Sequence, residues 1–413
     1  MLRSLQIVLL AFTLAACAGL QDRPGGGAPD EGFSRPRLEA LSAHTRADVQ
    51  KGRIPGVVML VARNGRLVYS DVIGAQDAKA GTPMRADSIF RIYSMTKPIV
   101  SVAIMMLVEE GRMQVTDPVS TYIPEFKGMK VGVEKPGADG KPVLELVNAA
   151  REMTIQDLLR HTSGLTYGVF GRSLVKSEYL KADVDSRDQT NAEVMQKLAK
   201  MPLHYQPGTT WEYSRSTDVL GHVLERVSGQ PLDRYLEARV LKPLGMKDSG
   251  FHVETASQGR IAEPFEIDPD TKAKQLLAEI RRPPKLLSGG GGMVSTAADY
   301  LRFAQMLLNG GELDGVRLLS KKTVDYMTAD HLGSIRGPTP GYGFGLGFTV
   351  RTATGEGGST GTLGDYNWAG LGGTYFWIDP KEKLIAVWMM QAPVQRNYYR
   401  QFFRNMVYGA MLQ

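Results

Sequence analysis

The 413-residue chain has a single cysteine, Cys17, so it has no disulfide bond within itself. It also lacks an H-E-x-x-H segment and any cluster of histidine and cysteine, and we therefore predict neither a metal ion nor another cofactor. The formal net charge is +6, but the basic residues form no block and acidic residues are interleaved with them. This pattern argues against a nucleic acid partner.

Apolar runs are short, and none has the length that a membrane-spanning helix requires. Residues 1–16 are typical of an export signal, because Arg3 is followed by an apolar run and then by small residues. The segment L-A-A-C that ends at Cys17 resembles the bacterial lipobox, which implies cleavage before Cys17 and lipidation of this residue. The alternative is an ordinary signal peptide with an incidental cysteine.

These features predict an exported protein that is anchored by lipid on the periplasmic side of a membrane. The residue after the cysteine is Ala18 and not an aspartate. By resemblance to Gram-negative lipoproteins, this favours the outer membrane if the source is Gram-negative. Residues 17–34 then form the lipidated cysteine and a flexible tether, since they contain three consecutive glycines and two prolines.

The folded body begins near residue 35. Strand patterns at both ends of the chain and helical patterns between them predict an α/β domain from residues 35–92 and 286–413, with a mostly helical domain from residues 93–285 inserted. Local patterns predict a hairpin around Asn64-Gly65 and a long apolar helix over residues 94–110. They also predict strands over residues 345–351, 374–378 and 384–391, and a last helix over residues 396–411.

The candidate nucleophile is Ser94, which begins an S-x-x-K segment together with Lys97. Such a segment arises by chance in a chain of this length, and a second one runs from Ser173 to Lys176. Ser94 stands out because it opens the long apolar helix, where residues three apart share a face. Apolar surroundings are expected to depress the pKa of Lys97 so that it accepts a proton. Ser173 lies in a polar stretch without such a helix, and we interpret it as coincidental.

Two further segments contain candidate site residues. Tyr213, in the sequence Tyr-Ser-Arg, is expected in a loop just before a helix. The segment W-A-G-L-G-G over residues 368–373 lets a substrate approach the backbone closely, because glycine has no side chain. Taken alone, each has an ordinary structural interpretation, as a packed tyrosine and as a strand entry with a bulge.

Together, S-x-x-K, Y-S-R and W-A-G occur in an order that resembles the serine β-lactamase and penicillin-binding protein superfamily. The segments L-L-R-H-T-S-G-L (residues 158–165) and G-G-M-V-S-T (residues 291–296) are also similar to it. The chain is more similar still to the family VIII carboxylesterases, which keep S-x-x-K and the tyrosine but carry W-x-G where β-lactamases carry K-T-G.

The resemblance implies a β-lactamase/transpeptidase-like fold, in which helices flank an antiparallel sheet built from the N- and C-terminal strands and a mostly helical domain is inserted. It implies that Ser94 is the acylated nucleophile and that Lys97 and Tyr213 share the general-base and general-acid work, with the first proton acceptor left open. The backbone N–H groups of Ser94 and Leu371 would form the oxyanion hole.

The resemblance also places Trp368 and Gly370 in contact with the substrate. β-Lactamases have a lysine at the position of Trp368, and a hydrogen bond from such a cation to a carboxylate contributes about 1.5–3 kcal/mol. Penicillins and D-Ala-D-Ala peptides therefore lose an anchor here, whereas neutral esters do not. An arginine such as Arg351 or Arg396 is an alternative source of the charge. Arg215 stands where the family carries asparagine, so its role is open.

Other nucleophile assignments fit the sequence less well. Ser359 lies in a G-x-S-x-G segment, but its flanks lack the strand and the helix that a nucleophile elbow requires. His161 is interpreted as a structural hydrogen-bonding residue near a helix end rather than as part of a Ser-His-Asp triad.

The favoured function is hydrolysis of carboxylic esters with short acyl chains, through an acyl-enzyme on Ser94. The alternatives are a β-lactamase or D-Ala-D-Ala carboxypeptidase, and a non-catalytic lipoprotein that binds the cell wall. The intact Ser94, Lys97 and Tyr213 argue against the non-catalytic protein, and Trp368 favours the esterase over the penicillin-recognising enzymes.

Overall fold

The computed structural model describes residues 31–412, and the predicted signal peptide and Cys17 lie outside them. Ten α-helices form in this range: α1 Arg35–Gln50, α2 Thr96–Glu109, α3 Ile155–Leu159, α4 Leu174–Lys181, α5 Asn191–Leu198, α6 Ser216–Ser228, α7 Leu232–Leu236, α8 Ala297–Leu308, α9 Lys321–Met327 and α10 Arg396–Ala410. None of them is long and apolar enough to cross a membrane.

Fourteen β-strands complete the described part of the chain. They are β1 Gly56–Arg63, β2 Arg66–Asp77, β3 Thr82–Pro83, β4 Phe90–Arg91, β5 Lys130–Pro136, β6 Pro142–Asn148, β7 Val294–Ser295, β8 Glu312–Leu313, β9 Val316–Arg317, β10 Tyr342–Phe344, β11 Thr349–Arg351, β12 Tyr366–Ala369, β13 Tyr375–Asp379 and β14 Leu384–Met390.

Eight of these strands form one antiparallel sheet in the order β10-β11-β12-β13-β14-β1-β2-β3. Strands from both ends of the chain thus lie in one sheet, because N-terminal β1 pairs with C-terminal β14, with Val57 opposite Met390. The predicted hairpin is confirmed: Asn64 and Gly65 join β1 to β2 with φ of +54° and +75°, the backbone that a two-residue turn needs. The predicted fold class is confirmed as well.

Alternate side chains of the central strands enter two separate hydrophobic cores. Val57 and Met59 pack on the face that α1 and α10 cover, whereas Val58 and Leu60 pack on the face that α2 and α8 cover. Because successive residues of a strand point to opposite faces, a strand buried on both sides reads as a continuous apolar run. This accounts for the composition of β14, whose residues are all buried, and of β1, in which every residue but Arg63 is buried.

Helix α2 lies within the larger core, and every residue from Thr96 to Leu107 is buried. A helix that is apolar all round belongs in such a position. The α-helix begins at Thr96, two residues after the predicted start, because residues Tyr93–Met95 form a 3₁₀ turn at the end of the preceding strand. Ser94 therefore lies in the turn that leads into the helix.

One predicted strand is wrong over half its length. Residues 345–348 are not a strand, and only Thr349–Arg351 pair with the sheet. Gly347 has φ of +102°, and a Cβ there would lie 2.4 Å from the Ser101 Oγ on α2. The chain needs this glycine to pass close to α2 and cannot remain extended. The predicted division at residues 92 and 286 stays a prediction; α2–α7 and the β5–β6 hairpin lie between these positions.

Candidate active site

Ser94 is held at a sharp bend of the backbone. The preceding Tyr93 has φ of +43°, a left-handed conformation that costs free energy for a residue with a bulky side chain. The Tyr93 hydroxyl fixes this bend by accepting a hydrogen bond of 2.9 Å from the Ala278 N–H. The bend leaves Tyr93 and Ser94 partly exposed, whereas Ile92 and Met95 on either side of them are buried.

Lys97 lies one helical turn after Ser94, and its Nζ is 3.5 Å from the Ser94 Oγ. The ammonium group also donates to the Gly290 carbonyl at 2.7 Å and to the Tyr167 hydroxyl at 3.2 Å. Only 1% of this residue is exposed. Within residues 31–412 Lys97 forms no ion pair with a carboxylate, so its charge is directed toward hydroxyl and carbonyl oxygens.

The predicted depression of the Lys97 pKa is wrong. Burial acts to lower the pKa of Lys97, but Tyr167, Tyr213 and Asp218 outweigh burial and raise the pKa above its ordinary value. The surroundings are therefore more polar than the apolar sequence around residues 94–110 indicated. A raised pKa favours the protonated form of Lys97, in which the amine has no lone pair to accept a proton. The sharing of proton transfer between Lys97 and Tyr213 stays a prediction.

Tyr213 donates a hydrogen bond of 2.6 Å to the Ser94 Oγ and is thus nearer to it than Lys97. The residue lies in a loop before α6, as predicted. Its ring is enclosed by other rings at centroid distances of 5.0–6.2 Å, from His161, Tyr167, Phe170, Trp211 and Trp368. The Lys97 Nζ lies 4.5 Å from the centre of the same ring. This cage fixes the direction of the Tyr213 hydroxyl and leaves it little freedom.

The glycine-rich segment after β12 turns back beside Ser94. A Cβ at Gly370 would lie 2.5 Å from the Ile92 carbonyl oxygen, and one at Gly372 would lie 3.2 Å from the Tyr93 ring. Only glycine allows the two backbones to approach this closely. Leu371, between these glycines, lines the same cavity as Ser94. The predicted oxyanion hole of the Ser94 and Leu371 N–H groups stays a prediction.

A cavity of about 600 Å³ opens above Ser94. One wall is aromatic and contains Phe170, Trp211, Tyr213 and Trp368. The lining also contains three arginines of α10 spaced four residues apart, namely Arg396, Arg400 and Arg404. The cavity therefore offers an apolar surface and a positive surface to a small molecule that reaches the serine.

Arg215 supports the site from outside the cavity. Its guanidinium pairs with Asp218 at 3.2 Å and with Asp185, and it lies 5.0 Å from the centre of the Tyr167 ring. Asp218 in turn accepts from the Gly290 N–H at 3.0 Å, and it is the Gly290 carbonyl that receives the Lys97 ammonium. Arg215 does not line the cavity, so its position is that of a structural residue.

The structure agrees with the interpretation of His161 and Ser359. His161 is buried just after α3, and its Nδ1 lies 3.2 Å from the Ser214 Oγ rather than from Ser94. Burial and the Lys97 charge lower the pKa of His161, so the ring is neutral. Ser359 lies in the loop between β11 and β12, with a hydrogen bond of 3.3 Å from Arg351.

The second S-x-x-K segment differs from the prediction in one respect. A helix does begin there, because Ser173 caps the N-terminus of α4 and accepts from the Lys176 N–H at 3.0 Å. The Lys176 side chain turns to Glu212 and forms an ion pair of 3.0 Å. The pair is therefore occupied by structural contacts, and the conclusion that it is not the nucleophile agrees with this geometry.

Sequence analysis missed several groups that contact the predicted site. They are the Tyr167 hydroxyl, the Asp218 carboxylate, the Gly290 carbonyl and the Arg400 guanidinium. Tyr167 lies two residues after the L-L-R-H-T-S-G-L segment, which is a usable signal. Burial raises the pKa of Tyr167 to about 12, so its hydroxyl stays protonated beside Lys97. The other groups carry no local signal in the sequence.

Comparison with known proteins gives consistent results. The family model described as Beta-lactamase matches residues 41–402. Protein Rv1367c of Mycobacterium tuberculosis is 36% identical over 86% of this chain and 90% of its own length. Esterase EstB of Burkholderia gladioli is 34% identical over 83% of this chain and 88% of its own length.

A solved structure extends the comparison to three dimensions. The hydrolase EstCE1, described as having promiscuous acyltransferase activity, superimposes with a TM-score of 0.75 and 26% identity. The match covers 91% of this chain and 98% of that one. The likeness therefore includes the sheet, the helices and the region of the cavity.

Proposed function

Since the chain belongs to the beta-lactamase family, we propose that it is a serine hydrolase that cleaves carboxylic esters through an acyl-enzyme on Ser94. The observation that carries this proposal is the 2.6 Å hydrogen bond between the Tyr213 hydroxyl and the Ser94 Oγ at the base of the cavity. A nucleophile in direct contact with a proton-transfer group is the arrangement that acyl transfer requires.

The first step starts from Tyr213 that has released its hydroxyl proton to solvent. The Ser94 Oγ attacks the ester carbonyl carbon, and the serine proton passes to the Tyr213 phenolate oxygen. The carbonyl oxygen takes up the electron pair of the broken π bond and is stabilised by the N–H groups of Ser94 and Leu371. The carbon–oxygen single bond of the ester then breaks, and Tyr213 returns the proton to the leaving alkoxide. The products are a free alcohol and an acyl group on Ser94.

Deacylation repeats these steps with water as the nucleophile. Tyr213 accepts a proton from water, the hydroxide attacks the acyl carbon, and the proton passes to the Ser94 Oγ as the carboxylic acid leaves. Lys97 keeps its proton throughout, because its pKa is raised, and its charge, 4.5 Å from the centre of the Tyr213 ring, stabilises the phenolate. Tyr213 is therefore the proton-transfer residue and Lys97 the electrostatic one.

The preference for esters follows from Trp368. Its indole presents an apolar wall to an acyl or alcohol group where a penicillin-recognising enzyme presents a lysine. The name of the relative Esterase EstB is consistent with this preference.

The test is a paired assay of the purified protein. We expect turnover of 4-nitrophenyl acetate and butyrate and slow turnover of a chromogenic cephalosporin. Tyr213→Phe should reduce kcat for the ester by about 10²–10⁴-fold, the usual contribution of general acid–base catalysis. Rapid cephalosporin hydrolysis with a slow ester would instead identify a β-lactamase, and turnover of neither compound would favour a non-catalytic binding protein.

We further propose that the protein is exported and anchored through a lipidated Cys17. The proposal rests on the sequence of residues 1–18 alone, which lies outside the described residues. Mass spectrometry of the mature N-terminus in a bacterial host should detect an acylated cysteine. An unmodified Cys17 in the mature protein would contradict the proposal, and Cys17→Ala is the control that should abolish membrane association.

A further inference from the structure

A run of four glycines, residues 289–292, passes beside the first turn of helix α6. A Cβ at Gly289 would lie 2.5 Å from the Thr217 carbonyl oxygen, and a Cβ at Gly290 would lie 2.6 Å from the Asp218 Oδ2. A side chain needs more room than either distance offers, so only glycine allows this approach. The glycine run therefore brings its backbone into direct contact with the Asp218 carboxylate.

Asp218 is buried, and its hydrogen bonds hold this run in place. The carboxylate accepts from the Ser288 Oγ at 2.6 Å and from the Gly290 N–H at 3.0 Å. The carbonyl of the same glycine accepts from the Lys97 Nζ at 2.7 Å. Gly290 thus connects the carboxylate to the ammonium group, and the direction of the carbonyl that holds Lys97 depends on Asp218.

Asp218 carries a negative charge in spite of its burial. Its carboxylate lies 3.2 Å from the guanidinium of Arg215, which precedes α6. Burial acts to raise the pKa of Asp218. The charges of Arg215 and Lys97, followed by the hydrogen bonds from Ser288 and Gly290, outweigh burial and lower this pKa. Asp218 is therefore ionised at neutral pH, and it offsets the charge of both cations.

The hydroxyl groups beside Lys97 respond to both members of the Arg215–Asp218 pair. For Tyr167, burial raises the pKa, the Lys97 charge acts to lower it, and the Asp218 charge acts to raise it. The charge of Arg215, 5.0 Å from the centre of the Tyr167 ring, acts to lower the same pKa. The anion and the cation therefore change the release of a proton from a neighbouring hydroxyl in opposite directions.

Other titratable and charged groups surround this cluster. His161 is neutral, because burial and the Lys97 charge lower its pKa. Asp185 pairs with Arg215, but its side chain is 28% exposed, and water therefore weakens its effect. The groups that face the cluster from its neighbouring elements are Tyr167 and His161 after α3, Asp185 after α4, Tyr213 and Arg215 before α6, and Arg400 on α10.

We propose that Asp218 is a positioning residue, which directs the Lys97 ammonium to Ser94 through the glycine run. Together with Arg215, it sets the pH range in which Ser94 reacts. The inference rests on the proposed serine hydrolase function and adds two residues to it. The described residues that line the cavity do not include Asp218, so this carboxylate acts on the reaction through Lys97 and not on the substrate.

The test follows the pH dependence of kcat/KM for 4-nitrophenyl butyrate in charge variants. Asp218→Asn keeps the shape of the side chain and removes its charge. We expect kcat to fall by about 10–10²-fold, as it does when a group of an active site is misplaced. We also expect the rising part of the pH profile to move by about one unit to lower pH, because loss of an anion favours release of the proton from the hydroxyl that activates Ser94.

Variants of Arg215 test the same charge balance from the other side. Arg215→Gln should move the profile to higher pH, because the Asp218 charge is then no longer offset. Arg215→Lys keeps the positive charge and should restore the native pH dependence. A residue that only stabilises the fold would lower the rate without moving the profile. If Asp218→Asn does not fold, the contrast between Arg215→Gln and Arg215→Lys decides the question: equal profiles would overturn the inference.

Asp157→Asn is the matched control. Asp157 is also a buried carboxylate on a helix, and it pairs with Arg151 and Arg160. Its replacement removes the same charge from a structural cluster and should leave the pH profile of kcat/KM where it is in the native protein. A displacement in Asp157→Asn equal to that in Asp218→Asn would contradict a specific role for Asp218.

A second reagent separates this inference from the esterase function itself. Diethyl 4-nitrophenyl phosphate modifies an activated serine: the bond from the Ser94 Oγ to phosphorus forms as the bond from phosphorus to 4-nitrophenolate breaks, and the serine proton is lost. Intact-mass spectrometry follows the diethylphosphoryl adduct at each pH. The rate of modification should show the same opposite displacements in Asp218→Asn and Arg215→Gln.

The outcomes distinguish the two proposals. If the phosphate shows these displacements but carboxylic esters are not turned over, the esterase function is refuted and the role of Asp218 is retained. If esters are hydrolysed with the same pH profile in the native protein, Asp218→Asn and Arg215→Gln, the inference is overturned and the esterase function is retained. A Ser94 that reacts with neither compound would overturn both.

Discussion

The chain contains the same four-residue pattern twice, in very different states. Ser94 lies in the turn that leads into α2, and Ser173 caps the N-terminus of α4. In each pair the lysine follows three residues later, in the first turn of the helix. Around the first pair, the serine hydroxyl faces a cavity and another hydroxyl. Around the second, the serine caps the helix and the lysine is paired with Glu212.

The difference shows which neighbours turn the pattern into a candidate catalytic pair. Lys176 is neutralised by a carboxylate, whereas Lys97 has only hydroxyl and carbonyl oxygens within hydrogen-bonding distance. The Ser173 Oγ accepts a hydrogen bond from a backbone N–H, which cannot take up a proton. The Ser94 Oγ accepts a hydrogen bond from the Tyr213 hydroxyl, a group that can also accept a proton once it is ionised. Spacing alone is equal in the two places, so burial and partners decide the chemistry.

The largest effect should come from removing the first serine. Ser94→Ala should lower kcat for 4-nitrophenyl butyrate by more than about 10³-fold, because no acyl-enzyme can form. Rapid-quench mass spectrometry should detect an acyl adduct on the native protein and none on the variant. Retained turnover in Ser94→Ala would show that another residue is the nucleophile. The Ser94–Lys97 pair would then differ from the Ser173–Lys176 pair in its contacts only and not in catalysis.

The second effect concerns the two lysines. Lys97→Met should reduce kcat by about 10³-fold, nearly as much as loss of the serine, because grouped catalytic residues act as a unit. Since the Lys97 pKa is raised, its charge persists as the pH rises through neutrality, and kcat/KM for a neutral ester should show no decline from loss of this proton between about pH 7 and pH 9.

The matched variant Lys176→Met tests the other member of the pair. It should retain kcat and lose only the stability contributed by its contact with Glu212. A comparable loss of kcat in Lys176→Met and Lys97→Met would show that the two lysines are equivalent, contrary to their surroundings.

Much of this contrast is visible in the sequence, because it depends on local patterns. The apolar run after Ser94 predicts a buried helix, and the positions of Tyr213 and Trp368 follow from short motifs with a family resemblance. The sheet from both termini also follows from strand-like runs at the two ends of the chain. These features are encoded within a few residues each.

Features that depend on distant contacts were missed or mispredicted. The sign of the Lys97 pKa shift depends on Tyr167 and Asp218, which lie 70 and more residues away in sequence. Arg400 is one basic residue on an amphipathic helix, and only its place beside Gly370 shows that it faces the cavity. Gly347 interrupts a strand-like run because α2 passes too close for a Cβ, a contact with no local signature.

A smaller effect should appear in the acid stability of the second pair. Hydrogen bonds from His204, Thr166 and Lys176 outweigh burial and lower the pKa of Glu212 to about 2. A depressed pKa in the folded state stabilises the protein above the ordinary carboxyl pKa, and that stability is lost as the pH falls from about 4.5 to about 2. The contribution at neutral pH is roughly 3 kcal/mol.

Urea unfolding followed by tryptophan fluorescence provides the measurement. Glu212→Gln should be less stable than the native protein at pH 7, and the difference should shrink as the pH falls through this range. Glu145→Gln is the control, because this residue forms a half-exposed ion pair with Lys135 on the β5–β6 hairpin. A difference for Glu212→Gln that stays constant with pH would contradict the role of the carboxylate charge.

The smallest effect should come from Ser173, which completes the comparison with Ser94. Ser173→Ala removes the acceptor of the Lys176 N–H and should lower the free energy of unfolding by about 1 kcal/mol, as loss of a helix N-cap does. Ser173→Asp keeps an acceptor at the cap and should retain that stability. Both variants should hydrolyse esters at the native rate, because Ser173 serves the helix rather than the cavity. A loss of kcat in Ser173→Ala that Ser173→Asp restores would mean that the end of α4 holds Phe170 and the cavity wall in place.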